Sequence, residues 1–404
     1  MKVIITGASG YLGQHLVPLL EKHGHQCLLV GRDTRLLVEL FPSRSVSNYI
    51  NLDAHAVGYD ALIHLAVMNT SSDGTEQDFH AVNVDLTQRL IGLCERQDIQ
   101  TFVYTSTFHA EHGTTPYAVT KREAECVVVD SVLKRTRIVR LPFVHQGRFR
   151  GSLDFFNKLP TPLARLAFQA AACFKPTVDI RNAAQAIELA LDPDAGAKTY
   201  VSDRQRSNAV YRLVSRTIDL AFSAVILIGL GWLLVLVWLI VKATSPGPGF
   251  LAQKRVGLGG QSFTCFKFRT MSTNAPHVAT HEISSSHITR VGRWLRKWRI
   301  DELPQAINVL LGQMSLVGPR PCLPSQNALI SERNRRHVLA VRPGITGLAQ
   351  VLRVDMTYPQ KLAKLDAYYL DHRTLPLDIR IILATVFGST GFVRAPADMG
   401  SSNT

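Results

Sequence analysis

The sequence predicts an α/β protein in two parts: an N-terminal doubly wound parallel sheet, then a membrane re-entrant helix leading into a small α-rich domain. Three observations carry this. A β-branched run at residues 2–6 ends in a glycine-rich turn that opens an amphipathic helix. The 22 residues from Leu220 to Val241 carry no charge. The charge is also split: residues 1–200 have 20 Lys and Arg against 20 Asp and Glu, whereas residues 201–404 have 25 against 11. A chain of 404 residues is long enough for two or three domains, each with its own core. The expected boundary lies at 205/206, with the membrane segment at 220–241.

The first element is a strand, "KVIIT", and it is too short and too soon followed by glycines to read as a signal peptide. Gly7, Gly10 and Gly13 follow it, and Leu12, Leu16, Leu19 and Leu20 give the next helix its apolar face. Strand, glycine turn and helix in this order are the dinucleotide-binding context of a Rossmann sheet. The glycines admit a pyrophosphate close to the backbone, and the helix N-terminus supplies N–H donors. The second strand, "QCLLV", ends in Gly31-Arg32. An acid there would hold a ribose 2′-hydroxyl; Arg32 suits a 2′-phosphate, so NADP(H) is expected in preference to NAD(H), with Asp33 beside it as a conflicting signal.

Further along stand "ALIHLA" (61–66), "VNVDLT" (82–87), "FVYTST" (102–107) and "YAVTK" (117–121). With TGASGYLG and Tyr-x-x-x-Lys, these make residues 1–200 resemble the extended short-chain dehydrogenase/reductase family, the NAD(P)-dependent sugar-nucleotide epimerases, dehydratases and reductases. The resemblance implies that the cofactor meets Gly7, Ser9, Gly10, Tyr11, Leu12 and Gly13, then Arg32, Leu65, Ala66, Asn83 and Lys121. It implies Tyr117 as acid/base on a sugar hydroxyl or ketone and Lys121 as its partner. Thr107 would complete the triad, with Ser106 as second choice. The residues give the same logic: Tyr117 and Lys121 are one helical turn apart, and a nearby ammonium favours phenolate. Two departures stand out. Ten positions separate Thr107 from Tyr117, where the family has a longer loop, and the substrate lobe is cut short by the apolar segment.

That segment is long enough to cross a bilayer core. Arg204, Arg206, Arg212 and Arg216 precede it, and Lys242, Lys254 and Arg255 follow it, so the flanks give no inside–outside bias. Beyond it, "RVGRWLRKWR" (290–299) sets Val291, Trp294, Leu295 and Trp298 at i, i+3, i+4 and i+7, an apolar face among cations that suits a membrane interface. No nucleic-acid motif accompanies the charge, and nucleic acid is not expected as a partner. Asp301 and Glu302 follow at once. Asp301 reads as an N-cap for "ELPQAINVLLG", whose Pro304 suits a first turn and Gly312 an end.

"QKRVG" (253–257), "FKFRTM" (266–271), "IDELPQAINVLLGQMSLVGPRP" (300–321), "RPGITGLAQ" (342–350) and "LDAYYL" (365–370) follow in order. Residues 216–389 thereby resemble the bacterial sugar transferases, the monotopic polyprenyl-phosphate phosphoglycosyl transferases. The resemblance implies transfer of a sugar phosphate from a UDP-sugar to undecaprenyl phosphate, releasing UMP and starting a polysaccharide or glycan repeat. It implies Asp301 as nucleophile, through a covalent phosphosugar intermediate, and Asp301 with Glu302 as the Mg²⁺ site, Glu302 helping to hold the metal or accepting a proton. Arg320 between Pro319 and Pro321 would contact diphosphate or uridine, with Arg255, Lys267 and Arg269 as further phosphate ligands. Adjacent acids can attack a diphosphate only with its charge neutralised by metal and cations.

Membrane lipid is an expected partner. UDP-sugar and NADP are cytoplasmic, so both domains should face the cytoplasm of a bacterial inner membrane, and the apolar segment should re-enter. The family bends there at Ser-Pro; this chain has Gly229, Gly231 and Trp232 instead. An N-terminal half that binds nucleotide without turnover, as a regulatory module, is the alternative. The cysteines (27, 94, 126, 173, 265 and 322) show no CxxC pair and read as free thiols. Residues 272–287 read as a Ser/Thr/His-rich loop and the last ten as a tail. The sugar is not legible, and homo-oligomerisation stays open.

Overall fold

The computed structural model describes residues 1–70, 72–148, 151–273, 287–394 and 396. Most of the expected Ser/Thr/His-rich loop and nearly all of the expected tail lie outside the described residues. The chain divides into two compact units, Met1–Ser207 and Asn208–Thr404.

In the first unit, β1 (Lys2–Thr6) is followed by α1 (Gly13–Lys22), β2 (Gln26–Val30), α2 (Thr34–Leu40), β3 (Ser45–Ser47), β4 (Ala61–His64) and β5 (Thr101–Thr107). Then come α3 (Pro116–Val129), β6 (Arg135–Leu141), β7 (Phe143–His145), β8 (Thr177–Asp179) and β9 (Lys198–Tyr200). Seven strands form one sheet in the order β3-β2-β1-β4-β5-β6-β9, every pair parallel. β1, β4 and β5 are fully buried along most of their length, as continuous apolar runs covered on both faces should be. One face packs Val3, Ile5, Leu16 and Leu20, the other Ile4, Leu62, Phe102 and Tyr104. The strand order reverses beside β1, which puts the glycine turn at the crevice where such sheets bind ligands.

The second unit opens with α4 (Ala209–Ala224), which passes through a π-helical turn at Val225–Gly229 into α5 (Gly231–Thr244). No single helix among the described residues is long and apolar enough to cross a membrane. Ala209–Gly229 and Gly231–Thr244 have that composition together and are bent by 62°. The bend falls at Leu230 (φ −106°, ψ 13°), between the two glycines. β10 (Phe250–Val256) and β11 (Ser262–Phe268) then form an antiparallel hairpin. α6 (Arg290–Lys297) and α7 (Gln305–Leu310) precede the parallel pair β12 (Ser315–Val317) and β13 (Gly344–Thr346). α8 (Asn327–Arg335), α9 (Pro359–His372) and α10 (Leu375–Phe387) close an α-rich core around Leu329, Leu362, Tyr369, Leu370 and Ile381.

Two local expectations change. Asp301 is not an N-cap: it lies in a 3₁₀ turn, Ile300–Glu302, entered through left-handed Arg299 (φ 55°), and α7 starts later, behind Pro304. In α6, Val291 and Leu295 pack inward but Trp294 and Trp298 are more than half exposed. The helix stops at Lys297, so its last tryptophan never joins the face.

Candidate functional site

In the first unit the chain leaves β1 through Gly7 at φ +72°, where a Cβ would lie 2.6 Å from the Ala66 nitrogen. A Cβ on Gly13 would lie 2.4 Å from the Ala8 carbonyl oxygen. Only glycine allows these approaches. They leave a cavity of about 730 Å³ lined by the turn (Gly7, Ser9, Gly10, Tyr11, Leu12, Gly13), by Arg32, by Leu65 and Ala66, and by Ser106, Thr107, Tyr117 and Lys121. The cavity therefore gathers almost every residue expected around a nicotinamide dinucleotide. Asp33 is removed from contention: its Oδ1 accepts from the Arg35 and Leu36 nitrogens at 3.0 and 3.1 Å and caps α2. Arg32 is left exposed at the cavity edge.

Asn83 is placed elsewhere. Its amide oxygen accepts from the Met68 nitrogen at 2.9 Å, and its amide nitrogen donates to the Met68 oxygen and to Thr120 Oγ1. It pins the segment after β4 to α3 and is buried. Tyr49 and Arg89 line the cavity and were not legible in the sequence, because the turns that carry them have no motif.

Thr107 at the end of β5 and Tyr117 near the start of α3 line the same cavity, and the Thr107 hydroxyl favours the phenolate. Ser106 points to a different partner, donating to Glu125 Oε1 at 2.6 Å. Glu125 in turn holds Arg140 through two bonds, of 2.8 and 2.7 Å, inside the core. The expected lowering of the tyrosine by Lys121 is absent. Lys121 Nζ donates to the Thr105 carbonyl at 2.6 Å and lies 4.0 Å above the Tyr104 ring. Burial pushes Tyr117 up, with the Thr107 hydroxyl opposing, and pushes Lys121 down to about 7, with Glu125 opposing.

In the second unit, Glu302 Oε1 accepts from Lys267 Nζ, on β11, and from Arg320 Nη2, each at 2.8 Å. Among the described residues Asp301 takes no hydrogen bond, so neighbouring carboxylates are treated in opposite ways. Burial pushes Glu302 up, but Arg320 and Lys267 outweigh it and hold the carboxyl far below the usual range. Burial and then the Glu302 charge push Asp301 up, against Lys267, Arg296 and Arg320. Pairs of acids driven apart by their surroundings mark separate chemical roles.

Arg320 is held rigidly. The Pro319 oxygen accepts from the Gly344 nitrogen, the Pro321 oxygen from Arg255 Nη1, and the Arg320 oxygen from Arg333 Nη1 at 2.8 Å. Arg333 is itself anchored on buried Asp366. Arg255, Lys267, Glu302, Gln305 and Arg320 share one small pocket with Cys265 and Gly344. Arg269 is not part of it: its guanidinium donates to the Ser245 and Pro246 carbonyls and clamps the chain leaving α5. Arg296, bonded to Thr270 Oγ1 at 2.9 Å and half-buried, acts electrostatically on both carboxylates. The sequence showed Arg296 only as one of five cations, since nothing local tells which one turns inward.

No group of three or more His, Cys, Asp or Glu that could hold a metal occurs among the described residues. Two adjacent carboxylates, one of them unbonded, still fit a largely hydrated Mg²⁺ that completes its shell with substrate phosphates.

Residues 210–390 match the bacterial sugar transferase family, and residues 3–149 match the NAD dependent epimerase/dehydratase family. The exopolysaccharide production protein PSS of Rhizobium leguminosarum bv. phaseoli is 39% identical over 189 residues, covering 43% of this chain and 94% of that protein. The undecaprenyl-phosphate glucose phosphotransferase of Komagataeibacter xylinus is 41% identical over 187 residues. That match covers 43% of this chain and 35% of the relative's length. A UDP-glucuronic acid 4-epimerase from Bacillus cereus, solved with NAD, is 18% identical at a TM-score of 0.41, covering 50% of this chain and 77% of that one. Through residues 210–390 the chain belongs to the bacterial sugar transferase family, and residues 3–149 ahead of them resemble the NAD dependent epimerase/dehydratase family.

Proposed function

We propose that the chain is a bifunctional membrane enzyme. The second unit moves a sugar phosphate from a UDP-sugar to undecaprenyl phosphate; the first reduces or epimerises the UDP-sugar with NADP(H). The observation that carries the transferase reading is the divided acid pair: Glu302 is bound by two cations at 2.8 Å while Asp301 is left unbonded beside it.

An Asp301 oxygen attacks the sugar-bearing phosphorus. The bond from that phosphorus to the bridging oxygen breaks, and UMP leaves with the bond's electrons. Arg320 and Lys267, aimed by Glu302, and Arg255 beside them stabilise the charge on the phosphoryl oxygens. An oxygen of undecaprenyl phosphate then attacks the same phosphorus and releases Asp301. Asp301 and Glu302 would hold Mg²⁺, which would supply further charge neutralisation.

In the first unit Tyr117 is the acid/base at the sugar oxygen, positioned by Thr107. A nicotinamide cofactor in the cavity would give or take hydride at the sugar carbon. Arg32, with Asp33 engaged as a cap, favours a 2′-phosphate. The bent apolar pair re-enters the membrane, so both units face the cytoplasm; the lipid phosphate in the name of the Komagataeibacter xylinus relative and the exposed apolar side chains of α5 support membrane attachment.

UMP release by the detergent-solubilised chain tests this, with undecaprenyl phosphate, Mg²⁺ and a panel of UDP-sugars, with and without NADPH. Asp301→Asn should abolish release, and Tyr117→Phe should abolish NADPH consumption. A wild type that releases no UMP from any UDP-sugar refutes the transferase reading. The regulatory reading of the first unit is favoured by one observation: Lys121 is turned to the Thr105 carbonyl instead of toward Tyr117. Cofactor binding without turnover of any UDP-4-keto-sugar would establish it.

A further inference from the structure

The first unit carries an exposed apolar face on a helix whose other side is firmly held. The helix runs from Thr161 to Ala172. Phe168 and Ala172 are buried in one cluster, with Phe156 and Ala167 packed against them. The Phe168 ring lies 4.7 Å from the His145 ring, and the Ala172 carbonyl accepts from Gln205 Nε2 at 2.7 Å. On the opposite side Leu163, Leu166 and Ala170 follow at spacings of three and four, which sets them on one stripe. Leu163 and Leu166 are 52% and 54% exposed. Phe155 and Leu159 before the helix and Phe174 after it are exposed as well. Large apolar side chains gathered in this way differ from the scattered singles of an ordinary surface and mark a contact.

The charge of the segment also differs from its surroundings. Residues 154–175 have three Lys and Arg against one acid, whereas the rest of residues 1–200 have 17 against 19. Lys158, Arg165 and Lys175 are all exposed, and Lys158 and Lys175 adjoin Leu159 and Phe174 at the two ends of the stripe. An apolar stripe bracketed by cations suits a surface that offers hydrocarbon beneath a layer of negative charge. A second copy of the chain suits it less, because pairing two such stripes about a two-fold axis brings the same cations together. The 12 residues of the helix reach about 18 Å, too short to cross a bilayer, so a helix of this kind lies in the interface.

We propose that residues 155–174 form a second membrane contact, seated in the headgroup layer of an anionic phospholipid bilayer, so that the first unit is itself held at the lipid surface. This goes beyond the transferase reading and rests only on its membrane attachment. β7 leads into the segment and β8 follows it, the two strands pair, and Val144 on β7 lines the dinucleotide cavity. The contact therefore orients that cavity relative to the bilayer.

The test uses the full chain in vesicles of phosphatidylcholine and phosphatidylglycerol, with a trace of phospholipid carrying a diazirine on its acyl chain. Irradiation should label the peptide spanning residues 155–174 as well as α5. Leu163→Glu/Leu166→Glu should lower the first label roughly tenfold and leave that on α5. Both side chains are exposed, so the variant should keep the calorimetric transition of the first unit. Vesicles of phosphatidylcholine alone should weaken the label on residues 155–174 about fivefold, the effect of one Lys near an anionic surface. If α5 is labelled and residues 155–174 are not, if their label survives both glutamates, or if it is indifferent to phosphatidylglycerol, the inference fails alone. If a bismaleimide joins two copies through Leu163→Cys beyond the wild-type background and the segment stays unlabelled, a second copy covers the face and the inference is wrong. If neither segment is labelled, the membrane reading fails and takes the inference with it.

Discussion

Glu302→Gln tests the division of labour between the two carboxylates. The amide keeps an acceptor oxygen, so Lys267 and Arg320 retain charge-assisted bonds and lose only the ion-pair attraction. A partly exposed ion pair is worth up to about 1 kcal/mol. Two such losses remove up to about 2 kcal/mol of aiming, which is roughly 30-fold in rate if all of it is felt at the transition state. Arg320 is partly exposed, so its share is screened and roughly tenfold is a fairer expectation. The pH dependence has a sign of its own. The Glu302 charge is one of the causes that raise Asp301, while Lys267, Arg296 and Arg320 lower it. Removing that charge therefore lowers the Asp301 pKa, and the acid limb of adduct formation moves to lower pH. The assay is single-turnover adduct formation from UDP-sugar between pH 4 and 8. A plateau within threefold of wild type together with an unmoved acid limb would refute the clamp.

Three further outcomes are expected. Gly7→Ala meets both a positive φ and a contact of 2.6 Å with Ala66; it should lose about 2 kcal/mol or more of first-unit stability and its NADPH fluorescence enhancement. Lys121 titrates near 7 when folded, against about 10.4 unfolded, so between these values the unfolded chain binds the extra proton and stability rises with pH. The burial penalty is present in full below 7. The melting gap between cofactor-free Lys121→Met and wild type should therefore narrow from pH 6 to 9. Arg333→Leu strands buried Asp366 and frees the Arg320 carbonyl. It should cost about 3–5 kcal/mol, seen as a lowered calorimetric transition of the second unit with that of the first unchanged.

The elements legible in the sequence were those with a local cause. The glycine turn announces itself because two of its positions, Gly7 and Gly13, tolerate no side chain, and β1, β4 and β5 because strands buried on both faces read as unbroken apolar runs. Thr107 could be chosen over Ser106 by position, and the structure shows why the choice matters: Ser106 answers to Glu125, some twenty residues away in the chain. What stayed hidden depends on tertiary partners. Arg269 has the same charge and neighbourhood as Lys267, but it lies just past the end of β11, and its guanidinium reaches the chain behind α5 instead of the acid pair. Asn83 stood inside a recognisable motif, yet its amide is saturated by Met68 and Thr120. The direction of Lys121 likewise depends on where the Thr105 carbonyl lies, which no spacing along α3 encodes.

The bend in the apolar pair shows the same division between local signal and tertiary cause. Gly229 and Gly231 flank it, yet a Cβ on either would meet nothing within 4 Å, and Leu230 at the hinge has a backbone any residue can adopt. The glycines permit the bend without enforcing it. The arms are held separately. On α4, Arg216 donates to the Val309 and Leu310 carbonyls at 2.7 and 2.9 Å, and Asp219 accepts from Ser315 Oγ and the Leu316 nitrogen. On α5, Val237 and Val241 pack with Phe268 and Leu295, and Trp238 lies over Gly249. Straightening the pair would strip one arm of these partners, leaving buried polar groups that each cost about 1–3 kcal/mol unpaired. Two Gly→Ala changes favour a continuous helix by only about 1 kcal/mol each. Gly229→Ala/Gly231→Ala should therefore keep the bend, with thiols placed at the exposed positions 207 and 248 both labelled from the cytoplasmic side. Asp219→Leu, which unpairs Ser315 and Leu316, should loosen the first arm and raise labelling of cysteines along α4. If the double alanine exposes residue 207 to the periplasm, the glycines and not the docked arms decide the topology.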